Sequence, residues 1–196
     1  KNKTDVGGVS LVKTGKNGAK LQGVTFVLQK QNGATWTDIT KKSTAAGDNT
    51  GDALKLDTDA NGEINVDGLS SGTYRFIETS VGTDNKGYIM DGATTYEFKV
   101  DGTNVTYDGK TDTDIQIPVT NDKPDMTKEV KNESEWKHDA DYSVGDLVQY
   151  QIKVSVPANI AKLNKFALTD TPTNLKDDAT SVKVTDKTGN TPISAT

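Results

Sequence analysis

Apolar residues recur at every second position wherever they gather in this chain, the period of a β-strand with one buried face. The runs Val9–Lys13, Val24–Gln29, Glu63–Val66, Thr73–Thr79, Tyr96–Val100, Asn104–Tyr107 and Ile115–Asn121 each show it. Turn-forming clusters separate them: Lys16-Asn17-Gly18, Asp59-Ala60-Asn61-Gly62, Ser71-Gly72 and Asp101-Gly102. Seven short strands at this spacing predict an all-β chain folded as a β-sandwich. The segment Asn121-Asp122-Lys123-Pro124-Asp125 then breaks the pattern, so a domain boundary is expected there, with domains at 1–122 and 123–196. In the second stretch the expected strands are Met126–Val130, Leu147–Val156, Phe166–Asp170 and Val182–Val184. Leu147–Val156 alternates cleanly, with Val148, Tyr150, Ile152, Val154 and Val156 on one face. This stretch is shorter than the roughly 100 residues a sandwich of this kind takes. It is expected to be incomplete at its C-terminus.

Register carries the chemical signal. Val9, Leu11 and Lys13 share parity, as do Tyr74, Phe76 and Glu78, and so do Ile115, Ile117, Val119 and Asn121. A lysine, a glutamate and an asparagine thus each continue an apolar row inward. Burying an isolated charge costs several kcal/mol or more, so such a residue must meet a partner or lose its charge. For any one of them the simpler account is a strand end whose side chain turns out to solvent. Three in one domain, of complementary chemistry, favour burial together.

Composition narrows the function. The chain has 196 residues, with 23 Lys and Arg against 28 Asp and Glu, for a formal charge of −5, and Arg75 is its only arginine. That balance argues against nucleic acid as a partner. No apolar run approaches the roughly 20 residues of a membrane span, so no membrane insertion is expected. Absence of cysteine removes disulfides and thiolate chemistry, and His138 is the single histidine, which leaves no metal site and no Ser-His-Asp triad to expect. No cofactor motif is present. Asp57-Thr58-Asp59-Ala60-Asn61-Gly62 opens like an EF-hand loop, but Gly68 stands where a bidentate Glu is needed. It reads as a hairpin turn. Asn2, Asn104 and Asn132 head glycosylation sequons by pattern alone, and Trp36 and Trp136 are expected to pack rather than to bind. The chain begins at Lys1 without an apolar leader and closes without a sorting tail, which suits a processed or excised piece.

The run VSLVKTGKNGAKLQGVTFVLQK, then TDANGEINVDGLSSGTYRFIETS with a following GY, then IPVTN, resembles a collagen-adhesin B-type (Cna-B) domain. Such modules belong to Gram-positive surface adhesins and sortase-assembled pilins, and the resemblance covers nearly all of residues 6–122. It implies an immunoglobulin-like or prealbumin-like sandwich. It further implies that Lys13 on the first strand bonds covalently to Asn121 on the last, assisted by Glu78. One departure is the segment SVGTDNKGY after Glu78, longer than usual and without the proline common there. Residues 125–196 resemble the opening of the other isopeptide-bearing pilin domain, the Cna-A-like type, through MTKEV, YSVGDLVQYQIKVSVP and FALTDTP. That resemblance implies Lys128 as amine and Asp170 as acid. The asparagine it also implies has no clear counterpart, since Asn190 sits in a Thr-Gly-Asn-Thr-Pro turn.

Together these readings lead to an expectation of a non-enzymatic structural subunit or stalk segment of an extracellular, cell-wall-anchored pilus or adhesin. Its only chemistry would be a single self-crosslinking event. Its partners would be other pilin subunits and sortase. An alternative is an adhesin module that binds host extracellular matrix or glycan, and no groove or aromatic patch in the sequence marks such a site.

Overall fold

The computed structural model describes residues 5–40, 54–163, 165–176, 178–187 and 192–193. Alternating runs become strands where a partner strand is at hand. The first region contains β1 (Gly7–Gly15), β2 (Thr25–Asn32), β3 (Thr35–Asp38), β4 (Lys55–Asp57), β5 (Glu63–Leu69), β6 (Gly72–Ser80), β7 (Thr95–Asp101), β8 (Asn104–Tyr107), β9 (Lys110–Asp112) and β10 (Ile115–Asn121). They form two sheets. One has the order β10-β1-β5; the other runs β3-β2-β6-β7-β8-β9, with β4 also paired to β2. The inward rows of both sheets share one core that includes Val9, Leu11, Phe26, Leu28, Phe76 and Ile117. Phe76 sits edge-on to Phe26 and stacked on Phe98 at its centre. This region is an all-β sandwich.

One pairing sets up the site. β1 and β10 lie side by side and parallel, with Lys13 opposite Val119 and Gly15 opposite Asn121. Parallel neighbours cannot be joined by a tight turn. Here the rest of the sandwich is the connection.

β11 (Asp125–Asn132), β12 (Glu135–Lys137) and β13 (Tyr150–Ser155) make a separate sheet of order β12-β11-β13. Sheet membership thus changes across Asp122–Pro124, whereas the compact units divide further on, into Lys1–Asn164 and Lys165–Thr196. The second unit holds a short ladder of β14 (Val184–Thr185) and β15 (Pro192–Ile193).

Several expected strands are corrected. Leu147–Val156 is a strand only over Tyr150–Ser155, because β11 offers it partners only from Asp125 to Val130, and Leu147 is 81% exposed. Phe166–Asp170 is irregular, with Phe166 and Leu168 about half exposed; no described strand lies beside it, so its alternation has no ladder to join. Val182–Val184 shifts to Val184–Thr185. β9 and β12 are exposed along their whole length, so no apolar period announced them. Of the two tryptophans expected to pack, Trp36 is half-buried under the Arg75 guanidinium, 4.2 Å from its ring centre, while Trp136 is exposed. The acidic turn at Asp57–Gly62 is held by Asp59 Oδ1, which accepts the N–H groups of Asn61 and Glu63.

Candidate functional site

β1 carries Lys13 into the core at the point where the strand leaves its ladder with β5, whose last pair is Val12 with Glu63. From there the Lys13 N–H donates to Gly62 O at 2.7 Å, and its carbonyl accepts from the Leu21 N–H at 3.2 Å. Gly62 is required twice over. Its φ of +72° is a left-handed conformation, and a Cβ there would lie 2.4 Å from Lys13 O. The backbone of the lysine is therefore clasped from both sides before its side chain is considered.

Asn121 reaches the same space from β10. Lys13 faces Val119 across the parallel ladder, so Asn121 is its same-face neighbour two steps along. Glu78 comes from the opposite sheet, on β6, where it pairs with Phe26 of β2. The three side chains are essentially removed from solvent, at 0%, 1% and 1% exposure for Lys13, Glu78 and Asn121. Lys13 Nζ lies 3.6 Å from Glu78 Oε2, and Asn121 Nδ2 donates to Glu78 Oε1 at 2.6 Å. Glu78 thus touches both of the others.

Three atoms of this cluster have no hydrogen-bond partner: Lys13 Nζ, Glu78 Oε2 and Asn121 Oδ1. Buried polar atoms in folded proteins are nearly always paired, and each unpaired one costs about 1–3 kcal/mol. Three orphans within one cluster form a high-energy arrangement. Its members are an amine, a carboxyl and an amide carbonyl.

Burial also sets the protonation. Desolvation is the largest influence on Lys13 and outweighs the attraction of Glu78 and Asp91, bringing its pKa down from 10.5 to about 8. Desolvation is likewise the largest influence on Glu78 and pushes its pKa up, against the opposing pull of Lys13 and the Asn121 hydrogen bond. The two groups can hold their shared proton as a buried ion pair or as a neutral amine beside a neutral acid. Withdrawal from water disfavours the form with two charges. Tyr96, near the same carboxylates, is pushed up to about 12, again mainly by desolvation.

The second set of expected residues is divided between the two units. Lys128 lies on β11 opposite Ile152, half-buried, with Nζ 4.8 Å from the ring centre of Tyr150. Asp170 lies exposed in the irregular Phe166–Asp170 segment of the other unit rather than at the end of an inward row. Asn190 is outside the described residues. Sequence reasoning missed Gly62, which lies against the Lys13 carbonyl, Gly15 and Tyr88, which lie against each other beside Asn121, and Ile89, whose N–H donates to Asp122 O. The Lys-Gly-Tyr at 86–88, in the segment after Glu78, was the available pointer to them.

The match to a family of prealbumin-like domains agrees with the architecture. No curated protein matches the chain. Among solved structures, the major pilin subunit BcpA of Bacillus cereus is 34% identical over 64% of this chain and 31% of its own, with a TM-score of 0.43. The minor pilin GBS52 of Streptococcus agalactiae is 24% identical over 61% of this chain and 45% of its own, with a TM-score of 0.42. The major pilin RrgB of Streptococcus pneumoniae is 19% identical over 60% and 30%, with a TM-score of 0.41. The chain spans less than half the length of each of these. Residues 7–114, more than half of the chain, match the profile of the prealbumin-like fold domain SpaA. The chain belongs to the SpaA family of prealbumin-like domains.

Proposed function

We propose that this chain is a load-bearing segment of a bacterial surface pilus whose first sandwich, residues 1–122, is stapled by an autocatalytic bond between Lys13 and Asn121. The observation that carries the reading is the buried trio itself, with Glu78 in contact with both an amine and a carboxamide. The unprotonated Nζ attacks Asn121 Cγ. Glu78, protonated, donates to the amide carbonyl, a contact reached by a half-turn of the amide that exchanges Oδ1 for Nδ2. The Cγ–Nδ2 bond breaks, a proton passes from Nζ through Glu78 to the leaving nitrogen, and one ammonia departs. One amide replaces another, so no oxidant or energy source is consumed.

Magnitudes support this division of labour. A pKa of about 8 leaves roughly a tenth of Lys13 unprotonated at pH 7, against a few parts in ten thousand for lysine in water. Positioned acid–base help is worth about 10²–10⁴-fold. Fixed proximity supplies effective molarities of up to roughly 10⁵–10⁸ M. The reaction runs once per molecule, so speed matters little.

The product suits tension. Force entering at β1 and leaving after β10 would pass from residue 13 to residue 121 through covalent bonds and bypass the sandwich between them. In this reading the neighbours are other pilin subunits, joined by sortase on the cell surface. Intact-mass spectrometry of the folded chain tests the chemistry: a mass one ammonia below that of the sequence is expected, and the full sequence mass would refute the bond.

A further inference from the structure

The segment between β6 and β7 does more than connect them. It folds back over the ends of β1 and β10, where Lys13 and Asn121 sit. At its base the buried Asn85 donates through Nδ2 to the carbonyls of Gln22 and Val81, each at 2.7 Å. Further on, the Ile89 N–H donates to Asp122 O at 2.8 Å, which extends the β10 backbone by one bond past Asn121, and Ile89 is completely buried. The Tyr88 ring packs on the sandwich core and lies under Lys123 Nζ, 4.9 Å from the ring centre. Near the end of the segment Asp91 accepts from Thr94 Oγ1 at 2.6 Å and pairs with Lys162, while Gly92 lies against the Glu78 carbonyl.

Tyr88 fits because of one missing side chain. Gly15, the β1 residue opposite Asn121, has φ −95° and ψ 178°, an extended backbone open to any residue. A Cβ there would nevertheless fall 2.3–2.4 Å from Cε1, Cζ and the hydroxyl oxygen of Tyr88. Glycine at 15 is therefore explained by space and not by conformation. The intruding atoms belong to the far end of a side chain, so an alanine at 15 displaces the ring and leaves the strand in place.

We propose that Val81–Thr94 is a fitted cover that keeps water from the Lys13–Glu78–Asn121 site, and that Gly15 is the positioning residue that lets Tyr88 seat it. This rests on the reading of the trio as a self-crosslinking site, and it names the part of the fold that keeps that site dry. The charged and titratable groups bearing on Lys13 are Glu78 from β6 and Asp91 from the cover itself; Tyr96 from β7 faces both carboxylates. With the cover lifted, water reaches Nζ and the lysine regains its proton.

Two measurements on the full chain test it. Gly15→Ala and Tyr88→Ala are isolated as unfolded, uncrosslinked chain of full sequence mass and then folded by dilution from denaturant, and crosslinking is followed by intact mass against pH. Each is expected to slow the reaction on the order of tenfold near neutrality and to move the rising limb of the pH profile upward, since each unit regained by the lysine removes a factor of ten in free amine. Tyr88→Phe, which keeps the ring, is expected to restore most of the rate lost in Tyr88→Ala, and the double variant Gly15→Ala/Tyr88→Ala to be no slower than either single one. The second measurement titrates the Lys13 side chain by NMR in Asn121→Ala, where no bond can form, with and without Gly15→Ala. A higher Lys13 pKa in the Gly15→Ala form is expected. Unchanged rate, profile and titration in these variants would overturn the cover. A parent of full mass whose Lys13 titration still moves with Gly15→Ala would overturn the crosslink and leave the cover standing.

Discussion

β1 and β11 carry nearly the same pattern, Val9-Leu11-Lys13 in one and Met126-Lys128-Val130 in the other, yet the two lysines end in different surroundings. Lys13 is sealed at 0% exposure between two sheets. Lys128 stays half-buried in a three-stranded sheet where Met126 on the same face is 57% exposed and Tyr150 of the neighbouring strand 42%. What differs is the layer opposite. β1 faces β6, which brings Phe76 and Glu78 against it, whereas no described strand of the Lys1–Asn164 unit packs as a second layer over β11 in that way. Parity tells which face a residue takes; only a facing layer turns that face into an interior. Desolvation, the leading cause of the shifts at Lys13 and Glu78, comes with the second layer.

The largest effect expected from breaking the contrast is loss of the staple itself. Lys13→Met keeps the volume and removes the amine, so no ammonia is lost and mass spectrometry reads the full chain. The covalent loop of about 108 residues disappears, and by analogy with a disulfide of that span the first sandwich loses about 4–5 kcal/mol of stability. Calorimetry of parent and variant should show a clearly lower melting temperature for Lys13→Met. Equal melting temperatures would mean that the bond, if formed, contributes nothing.

Next in size is removal of the acid. Glu78→Gln preserves shape and hydrogen-bonding reach but cannot pass a proton from Nζ to the leaving nitrogen. Crosslinking should slow by about 10²–10⁴-fold while the fold, judged by circular dichroism, is kept. A Glu78→Gln chain that loses ammonia as fast as the parent would show that another group acts as the acid.

How much of this was legible in the sequence follows from the same contrast. The burial of Lys13, Glu78 and Asn121 was readable, because each extends an apolar row by a fixed period and each row has a partner in the other sheet. The rows on β13 and at Phe166–Asp170 were readable as alternation but not as structure, because alternation does not say how far a neighbouring strand extends. Gly15 was invisible for another reason: its backbone is ordinary, and what it accommodates, Tyr88, lies in an irregular segment 73 positions away. Contacts of that kind leave no period.

The pH dependence sharpens the comparison and is smaller. In the parent, first folding of uncrosslinked chain should give a bell-shaped crosslinking rate, rising as Lys13 loses its proton toward about pH 8 and falling once Glu78 is ionised. In Asn121→Ala, with the bond blocked, the sign for stability can be worked out. The unfolded lysine titrates near 10.5 and the folded one near 8, so between those values the unfolded chain holds more protons and stability rises with pH. Glu78 acts oppositely: its raised folded pKa means the native state keeps a proton longer, so stability falls as pH climbs above the ordinary carboxylate range. Denaturant titrations of Asn121→Ala against Lys13→Met/Asn121→Ala isolate the lysine's share, and a flat difference between pH 8 and 10.5 would mean Lys13 is hydrated.

The smallest effect is expected at the other lysine. Lys128→Ala removes a contact with the Tyr150 ring, an interaction worth about 0.5–1 kcal/mol at an exposed site. It should leave the ammonia loss assigned to the first sandwich intact. The informative readout is the mass of Lys128→Ala beside those of Lys13→Met and the parent. If the parent is lighter by one ammonia and Lys128→Ala is too, while Lys13→Met is not, the single bond resides where two sheets enclose the amine. If Lys128→Ala instead regains an ammonia relative to the parent, then a half-buried lysine over an aromatic ring is sufficient for the reaction, and enclosure between two layers is not what sets Lys13 apart.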